Sequence, residues 1–233
     1  MRNVKNTMIQ GVLGLVAPHL CFGCAKVGSP LCANCKYNII AEPYSGCVLC
    51  ERLTDTGICI LHTISYKTIW VVAERKGVLQ EVIDAYKFQN LKAAAQSLAE
   101  LLNEALPLLP KNTLIVPVPT IASHIRERGY DHTLLIAKHF ASLRGLTLSP
   151  VLEAISRTTQ HTVGKKERAK QASTAYRATQ KLSTTTPYLL IDDIVTTGAT
   201  IAAASDQLMH AGASTVWVAV LARQPLDVEA GIC

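Results

Sequence analysis

Residues 188–200 read YLLIDDIVTTGAT, and this stretch decides the fold. Tyr188 to Asp192 has the apolar pattern of a buried strand that ends in acid. Thr200 to His210 then has helical spacing, and Gly212 is placed to end that helix. A buried strand that leads through a turn of small residues into a helix is typical of a parallel α/β sheet.

Strand and helix patterns alternate along the chain on both sides of this stretch. Further strands are predicted at Thr68–Glu74, Thr113–Val118 and Thr215–Leu221, and further helices at Gly77–Phe88, Leu91–Leu106 and Ile121–Leu143. Residues 157–181 interrupt the alternation with a basic, weakly periodic segment, for which we predict a mobile loop and a short helix. The predicted fold class is therefore α/β, with a mainly parallel sheet.

Length and composition bound the remaining possibilities. The chain has 233 residues, 49% of them hydrophobic, so it can bury one α/β core with a small appendage. A net charge of +6 permits a polyanionic partner without requiring one. No apolar run approaches the roughly 20 residues of a membrane span. Arg2 and Lys5 precede an apolar stretch, Met8–Ala17, but no cleavage site follows, so we expect a short helix there and a cytoplasmic protein.

The candidate ligand site lies where the strand of residues 188–192 ends. Asp192 and Asp193 follow directly on a buried strand. Burying two carboxylates is costly unless they contact hydrogen-bond donors or a hydrated cation, and ribose hydroxyls and Mg²⁺ would supply these partners. The small residues that follow, together with a helix N-terminus, favour a phosphate; they are Thr196, Thr197, Gly198, Ala199 and Thr200. One alternative is a generic strand–turn–helix in which Asp193 caps the helix. Another is a phosphatase-like nucleophile, but such sites require two aspartates separated by one residue, and here the two are adjacent.

Seven of the eight cysteines lie between Cys21 and Cys59, in a segment too turn-rich to build its own core. They form four hooks with two residues between ligands: Cys21/Cys24, Cys32/Cys35, Cys47/Cys50 and Cys59/His62. Eight such ligands suit two tetrahedral zinc sites. All four positions of each ion would be filled by protein ligands, which is typical of structural sites, and zinc binding would supply folding energy. Sequential pairing of the hooks is the most economical arrangement. A crossed pairing, or a His62 that is an ordinary surface residue, stays open.

The hydrophobic strand, two acids and T-T-G-x-T resemble the phosphoribosyl diphosphate motif of type I phosphoribosyltransferases. Nearly the whole chain resembles the ComF family, in which a double zinc ribbon precedes a phosphoribosyltransferase-like domain. Further matching segments are Tyr86-Lys87-Phe88, Val116-Pro117-Val118-Pro119, Arg126-Glu127-Arg128-Gly129-Tyr130, Arg157-Thr158-Thr159-Gln160 and Glu167-Arg168. The chain departs from the family pattern at Asp131-His132, where Asn-Gln is usual, at Gln171-Ala172, where Asn-Val is common, and at His62, which replaces a cysteine.

The resemblance implies a type I phosphoribosyltransferase fold over residues 67–233, after a short helix and double zinc ribbon over residues 1–66. It implies a pyrophosphate loop at Val116, Pro117, Val118, Pro119 and Thr120, although prolines also simply end strands. Asp192, Asp193, Arg126 and Arg128 become the candidate catalytic residues; a solvated helix face is the alternative for the two arginines. The basic segment Arg157–Arg168 would close over the site.

Two classes of function follow from the resemblance. The first is an enzyme that binds 5-phosphoribosyl 1-diphosphate with Mg²⁺ and transfers the phosphoribosyl group to an acceptor that the sequence does not identify. The second is a non-catalytic module of DNA uptake in natural transformation, which binds single-stranded DNA or docks on a competence helicase. Phe, Trp and Tyr total only 12, so phosphate contacts would have to dominate any DNA binding.

Overall fold

A computed structural model describes residues 19–155 and 175–225. The predicted N-terminal helix at Met8–Ala17 lies outside these residues. The same holds for most of the basic segment, including Arg157-Thr158-Thr159-Gln160, Glu167-Arg168 and Gln171-Ala172, and for Cys233. Within the described ranges, no helix is both long and apolar enough to cross a membrane.

Fifteen elements follow one another along the described residues. The first are β1 (His19–Leu20), β2 (Val27–Gly28), α1 (Ala33–Ile40), β3 (Thr68–Glu74), α2 (Gly77–Phe88), α3 (Ala94–Ala105), β4 (Leu114–Pro117) and α4 (Ala122–Arg128). They are followed by α5 (His132–Arg144), β5 (Thr147–Leu148), β6 (Leu152–Ala154), β7 (Tyr176–Ala178), β8 (Pro187–Val195), α6 (Ala199–His210) and β9 (Thr215–Arg223).

The central sheet confirms the predicted fold class. Its order is β3-β9-β8-β4-β5, and every neighbouring pair is parallel. Pro117 at the end of β4 pairs with Ile191 in β8, so the loops after these two strands leave the same edge side by side. The aspartates that follow Ile191 therefore lie next to the loop that follows Pro117.

Two hydrophobic layers cover the faces of the sheet, as alternating side chains of a buried parallel strand require. Leu189 and Ile191 pack into one layer with helices α2, α3 and α5. Tyr188 and Leu190 pack into the other layer, which contains Ile201 and the buried side of α6. The uninterrupted apolar run of β8 is therefore explained by burial on both faces.

The strand predicted over Tyr188–Asp192 is longer in the structure. It is β8, which continues to Val195, so Asp192 and Asp193 lie within the strand.

Two further predicted elements differ from the structure. The helix predicted at Ile121–Leu143 is two helices, because Gly129 adopts a left-handed φ of 74° and Asp131 starts α5 by accepting the backbone N–H of Leu134 at 3.0 Å. Within the segment predicted as a loop and short helix, Tyr176–Ala178 is a strand, antiparallel to β6. Its aromatic residue is buried, which offsets the weak apolar pattern of the segment.

The cysteine-rich segment packs against the sheet domain and adds a helix, α1, that the sequence did not predict. Leu31 is buried in the first hydrophobic layer and Val48 in the second. The backbone N–H of Ile69 also donates to the carbonyl of Thr56 at 3.1 Å. These contacts supply the core that the segment lacks on its own. The domain boundary between residues 66 and 67 stays a prediction.

Candidate functional site

Asp193 is buried at the end of the central strand and is held by two cationic or donor groups. Its Oδ2 lies 3.0 Å from Lys87 Nζ, at the end of α2, and 2.8 Å from His132 Nε2, at the start of α5. Burial alone would raise the pKa of Asp193, but the hydrogen bond from His132 and the charge of Lys87 lower it well below its usual range. Asp193 is therefore ionised.

Asp192 is equally buried but has the opposite electrostatic environment. Its Oδ1 accepts the backbone N–H of Asp193 at 2.9 Å. Burial, together with the negative charge of Asp193, raises the pKa of Asp192 to about 8. The environments of the two adjacent carboxyl groups thus favour opposite states, the ionised form for Asp193 and the protonated form for Asp192.

His132 connects Asp193 to the loop that follows β4. Its Nδ1 lies 3.1 Å from Arg128 Nη1 and 3.3 Å from Thr120 Oγ1. Since arginine only donates hydrogen bonds, Nδ1 accepts from Arg128, while Nε2 on the other side of the ring faces Asp193 Oδ2 at 2.8 Å. The Thr120 hydroxyl donates to Asp131 Oδ1 at 2.8 Å. Asp131 and His132, where the chain departs from the family pattern, therefore join both strand-end loops.

The loop after β8 has the backbone geometry of an anion site. Gly198 has a left-handed φ of 74° and is the residue before the first turn of α6, where no side chain caps the helix. The N–H of Ala199 makes a long contact of 3.5 Å with Thr197 Oγ1. The N–H groups that follow it lie at the positive end of the helix dipole, where an anion is stabilised. Thr196 and Thr197 are exposed beside this turn, as a ligand-binding loop requires.

One cavity of about 420 Å³ brings the two loops and both acids together. The predicted site residues that line it are Val118, Pro119, Thr120, Arg128, Asp192, Asp193, Thr196 and Thr200. Val116 and Pro117 lie within β4, so the loop proper begins at Val118. Arg126 is exposed on α4 and is not among the residues that line the cavity.

Sequence reasoning missed several groups of this cavity, among them Lys87, Phe88 and His132. Lys87 and His132 hold Asp193, and Phe88 lies at the rim with 68% of its surface exposed. The Arg128 guanidinium stacks over the Phe88 ring, with its carbon 5.4 Å from the ring centre. A lysine and an exposed aromatic side by side at a helix end were the available signal. Whether the side chains of Lys87 and Phe88 face the site depends on how α2 packs, and the sequence does not reveal that packing.

The cysteine hooks form two clusters in the sequential pairing. Cys21, Cys24, Cys32 and Cys35 have their sulfur atoms within 4.8 Å of one another, and so have the ligand atoms of Cys47, Cys50, Cys59 and His62. Four thiolates, or three with one imidazole, at such spacing fit tetrahedral zinc. His62 Nε2 is buried without a hydrogen-bond partner, which suits a metal ligand better than a surface histidine. Both clusters could therefore bind zinc.

The first hook of each cluster has the same backbone turn. The N–H of Cys21 donates to the carbonyl of Lys26 at 2.9 Å, and the N–H of Cys47 donates to the carbonyl of Arg52 at 2.7 Å. The residue after each second cysteine, Ala25 or Glu51, is left-handed, with φ of 57° and 61°. This repetition shows that the two hooks are equivalent structural units, as a double zinc ribbon predicts.

The comparisons with known proteins identify relatives over most of the chain. Competence protein F of Haemophilus influenzae is 26% identical over 207 residues, covering 83% of this chain and 90% of the relative. DNA utilization protein YhgH of Salmonella typhimurium is 24% identical over 225 residues, covering 90% and 99%. The resemblance to the ComF family is confirmed. No family model matches this ComF-like chain.

Solved structures with local similarity include phosphoribosyl enzymes. Glutamine phosphoribosylpyrophosphate amidotransferase from B. subtilis, complexed with ADP and GMP, matches with a TM-score of 0.40 and 16% identity, over 55% of the ComF-like chain and 26% of the enzyme. A hypoxanthine phosphoribosyltransferase from Staphylococcus aureus matches with a TM-score of 0.34 and 14% identity, over 60% and 69%. The chain thus spans about a quarter of the amidotransferase.

Proposed function

We propose that the cavity at the carboxyl edge of the sheet binds 5-phosphoribosyl 1-diphosphate together with Mg²⁺. The observation that carries the proposal is one cavity in which the loop before α6, the loop after β4 with Arg128, and a buried acid pair meet. Residues 196–200 would receive the 5-phosphate at the N-terminus of α6. Residues 118–120, with Arg128, would receive the pyrophosphate, and Asp192 and Asp193 would receive the ribose hydroxyls between them.

The acid pair fits a magnesium ion through Asp192. Asp193 is already held by Lys87 and His132, whereas the proton on Asp192 can be displaced by a divalent cation. Asp192 is therefore the residue of the pair that would hold the ion, since a carboxylate oxygen is a ligand that magnesium prefers. When bound, the ion would stabilise the negative charge of the pyrophosphate.

The residues of the chain then suit a transfer reaction. A nitrogen nucleophile of an acceptor would form a bond to C1 of the ribose, while the bond from C1 to the pyrophosphate oxygen breaks and the pyrophosphate leaves with the electron pair. Arg128 is placed at the pyrophosphate side, where negative charge develops. Asp193 lies at the ribose side, where an ionised carboxylate favours a cationic sugar carbon, and Asp192 would add to this once a cation has displaced its proton.

Calorimetric titration of 5-phosphoribosyl 1-diphosphate with Mg²⁺ tests the proposal. Wild type is expected to bind saturably, and Asp192→Asn/Asp193→Asn to lose binding while keeping its zinc content and a cooperative thermal transition. Arg128→Ala is expected to weaken binding more than Arg126→Ala, because Arg128 lines the cavity. Failure of folded, zinc-loaded wild type to bind would refute the proposal.

Handling of single-stranded DNA is a second candidate function, favoured by the relatives. These relatives are named competence protein F and DNA utilization protein, and the chain carries a net charge of +6. Binding through phosphates predicts that the logarithm of the affinity falls steeply with the logarithm of the salt concentration. Fluorescence anisotropy with a labelled oligonucleotide at several salt concentrations measures this slope, and an affinity independent of salt would exclude the mechanism.

A cytoplasmic competence helicase is the protein partner that this second function implies. Pull-down with the full chain, with and without 5-phosphoribosyl 1-diphosphate, separates the two functions. A docking module should bind the helicase even when Asp192→Asn/Asp193→Asn abolishes the phosphoribosyl site. If the double variant loses both activities while it remains folded, partner binding depends on the phosphoribosyl site and the two functions are one.

A further inference from the structure

The second metal cluster touches the loop proposed to bind the 5-phosphate. Leu49 lies between the cluster residues Cys47 and Cys50, and its side chain closes onto Gly198. A Cβ atom placed on Gly198 would lie 2.7 Å from Leu49 Cδ2, closer than packed carbon atoms approach. Gly198 is buried although its neighbours Thr197 and Ala199 are exposed, so Leu49 supports the loop from the side opposite the solvent.

The backbone that carries Leu49 is fixed by the geometry of the hook. The N–H of Glu51 donates to the carbonyl of Cys47 at 2.8 Å, and the N–H of Val48 donates to the carbonyl of Gly57 at 2.9 Å. Val48 is fully buried in the same hydrophobic layer as Val195 and Ile201, which flank the loop. Any rearrangement of the hook on loss of its metal would therefore move the side chains that support residues 196–200.

Within the described residues, the first metal cluster packs against a different element. Gly23 occupies the position in its hook that Leu49 occupies in the second, and a Cβ atom on Gly23 would lie 3.2 Å from Val78 Cγ2. Val78 belongs to α2, so the first hook packs against a helix of the sheet domain instead of the loop. The two equivalent hooks thus differ in what they support.

We propose that Leu49 is a positioning residue of the phosphate loop and couples the metal in the second cluster to phosphoribosyl binding. The inference rests on the proposed function, because the loop must bind the 5-phosphate for the coupling to be felt. A metal ion that orders the hook would fix Leu49 in its contact with Gly198. A phosphate that orders the loop would fix Gly198 in the same contact. Coupling of this kind is reciprocal, so each ligand strengthens binding of the other.

Binding of 5-phosphoribosyl 1-diphosphate with Mg²⁺ to Leu49 variants tests the positioning role by calorimetry. Leu49→Ala is expected to raise the Kd about tenfold, the scale of coupling between residues in contact. Leu49→Met, which refills the space, should restore most of the affinity. Leu61→Ala is the matched control, because Leu61 also lies one residue before the last ligand of its hook but is 62% exposed. All variants should retain two zinc ions.

Release of metal measures the coupling without any activity assay. In cobalt-substituted protein, a site of four thiolates and a site of three thiolates and an imidazole absorb differently, so loss to a chelator can be followed for each cluster. Saturating 5-phosphoribosyl 1-diphosphate should slow loss from the second cluster several-fold, leave the first unchanged, and have no effect on either in Leu49→Ala.

The outcomes separate the coupling from the function on which it rests. If wild type binds but Leu49→Ala binds equally well, or if the ligand protects both clusters alike, the coupling is wrong and the proposed function stands. If folded, zinc-loaded wild type does not bind the ligand, the proposed function fails and the coupling fails with it.

Discussion

Replacement of Asp192 by asparagine is expected to change how stability depends on pH. The pKa of Asp192 is about 8 in the folded protein, because the group is buried beside Asp193, and about 3.9 when it is unfolded. Between these values the folded state binds more protons, so the free energy of unfolding of wild type falls as pH rises. The slope is about 1.4 kcal/mol per pH unit for one proton, and asparagine abolishes it.

Urea denaturation at pH 5.5 and pH 7.5, in buffer without Mg²⁺ and with zinc-loaded protein, measures this effect. Relative to wild type, Asp192→Asn should gain about 2 to 3 kcal/mol of stability between the two pH values. All other titrating groups are shared, so the comparison isolates Asp192. A difference between the two proteins that does not change with pH would refute the reasoning.

Asp193→Asn is the contrasting variant at the adjacent position. It removes the acceptor shared by Lys87 and His132, so it should be less stable than wild type by about 3 kcal/mol at pH 5.5 and by less at pH 7.5. It should also flatten the pH dependence, because the charge of Asp193 contributes to the raised pKa of Asp192. Stability equal to wild type would mean that Asp193 is not an ionised partner of Lys87.

Three further changes test other parts of the structure. His62→Ala should reduce the zinc content from two ions to one in native mass spectrometry, whereas His62→Cys should keep two. Lys36→Met should cost about 2 kcal/mol in urea denaturation, because Lys36 Nζ is buried 3.0 Å from Glu100 and 2.8 Å from Glu104; an unchanged midpoint would show that the pair does not stabilise the packing of α1 on α3. Arg128→Lys should weaken phosphoribosyl binding about fivefold in calorimetry, since lysine cannot both stack on an aromatic ring and donate to His132; equal affinity would contradict that role.

The sequence predicted the sheet well where burial dominates local preference. Residues 68–74 and 77–88 form a strand and a helix with the predicted bounds, because both have a strong apolar period. The prediction of one helix over residues 121–143 was wrong, although the apolar period continues through it. Gly129 adopts a left-handed conformation that ends the first helix, and Asp131 caps the start of the second. Strand Tyr176–Ala178 was missed because its three residues depend on pairing with β6.

The candidate site was predictable as far as its contributing loops. The parallel sheet places the end of β4 at Pro117 beside Ile191 of β8, so the residues that follow these two had to lie close together. Lys87 and His132 could not be found in this way, because each reaches Asp193 from the end of a helix whose rotation is set by tertiary packing. The clustering of eight metal ligands was predictable because a spacing of two residues restricts their geometry. The contact of Leu49 with Gly198 was not predictable, since the two residues meet only through tertiary packing.

The charges of the cavity explain how a buried acid pair can serve an anionic ligand. Lys87 is paired with Asp193, and Arg75 is paired with Asp84, so these charges cancel. The raised pKa of Asp192, about 8 through burial and the charge of Asp193, keeps this group neutral near pH 7. Arg128 then leaves the cavity with a net positive charge before any ligand arrives. A diphosphate is thus attracted by the ligand-free site, and the negative charge of Asp192 develops only when a cation arrives to balance it.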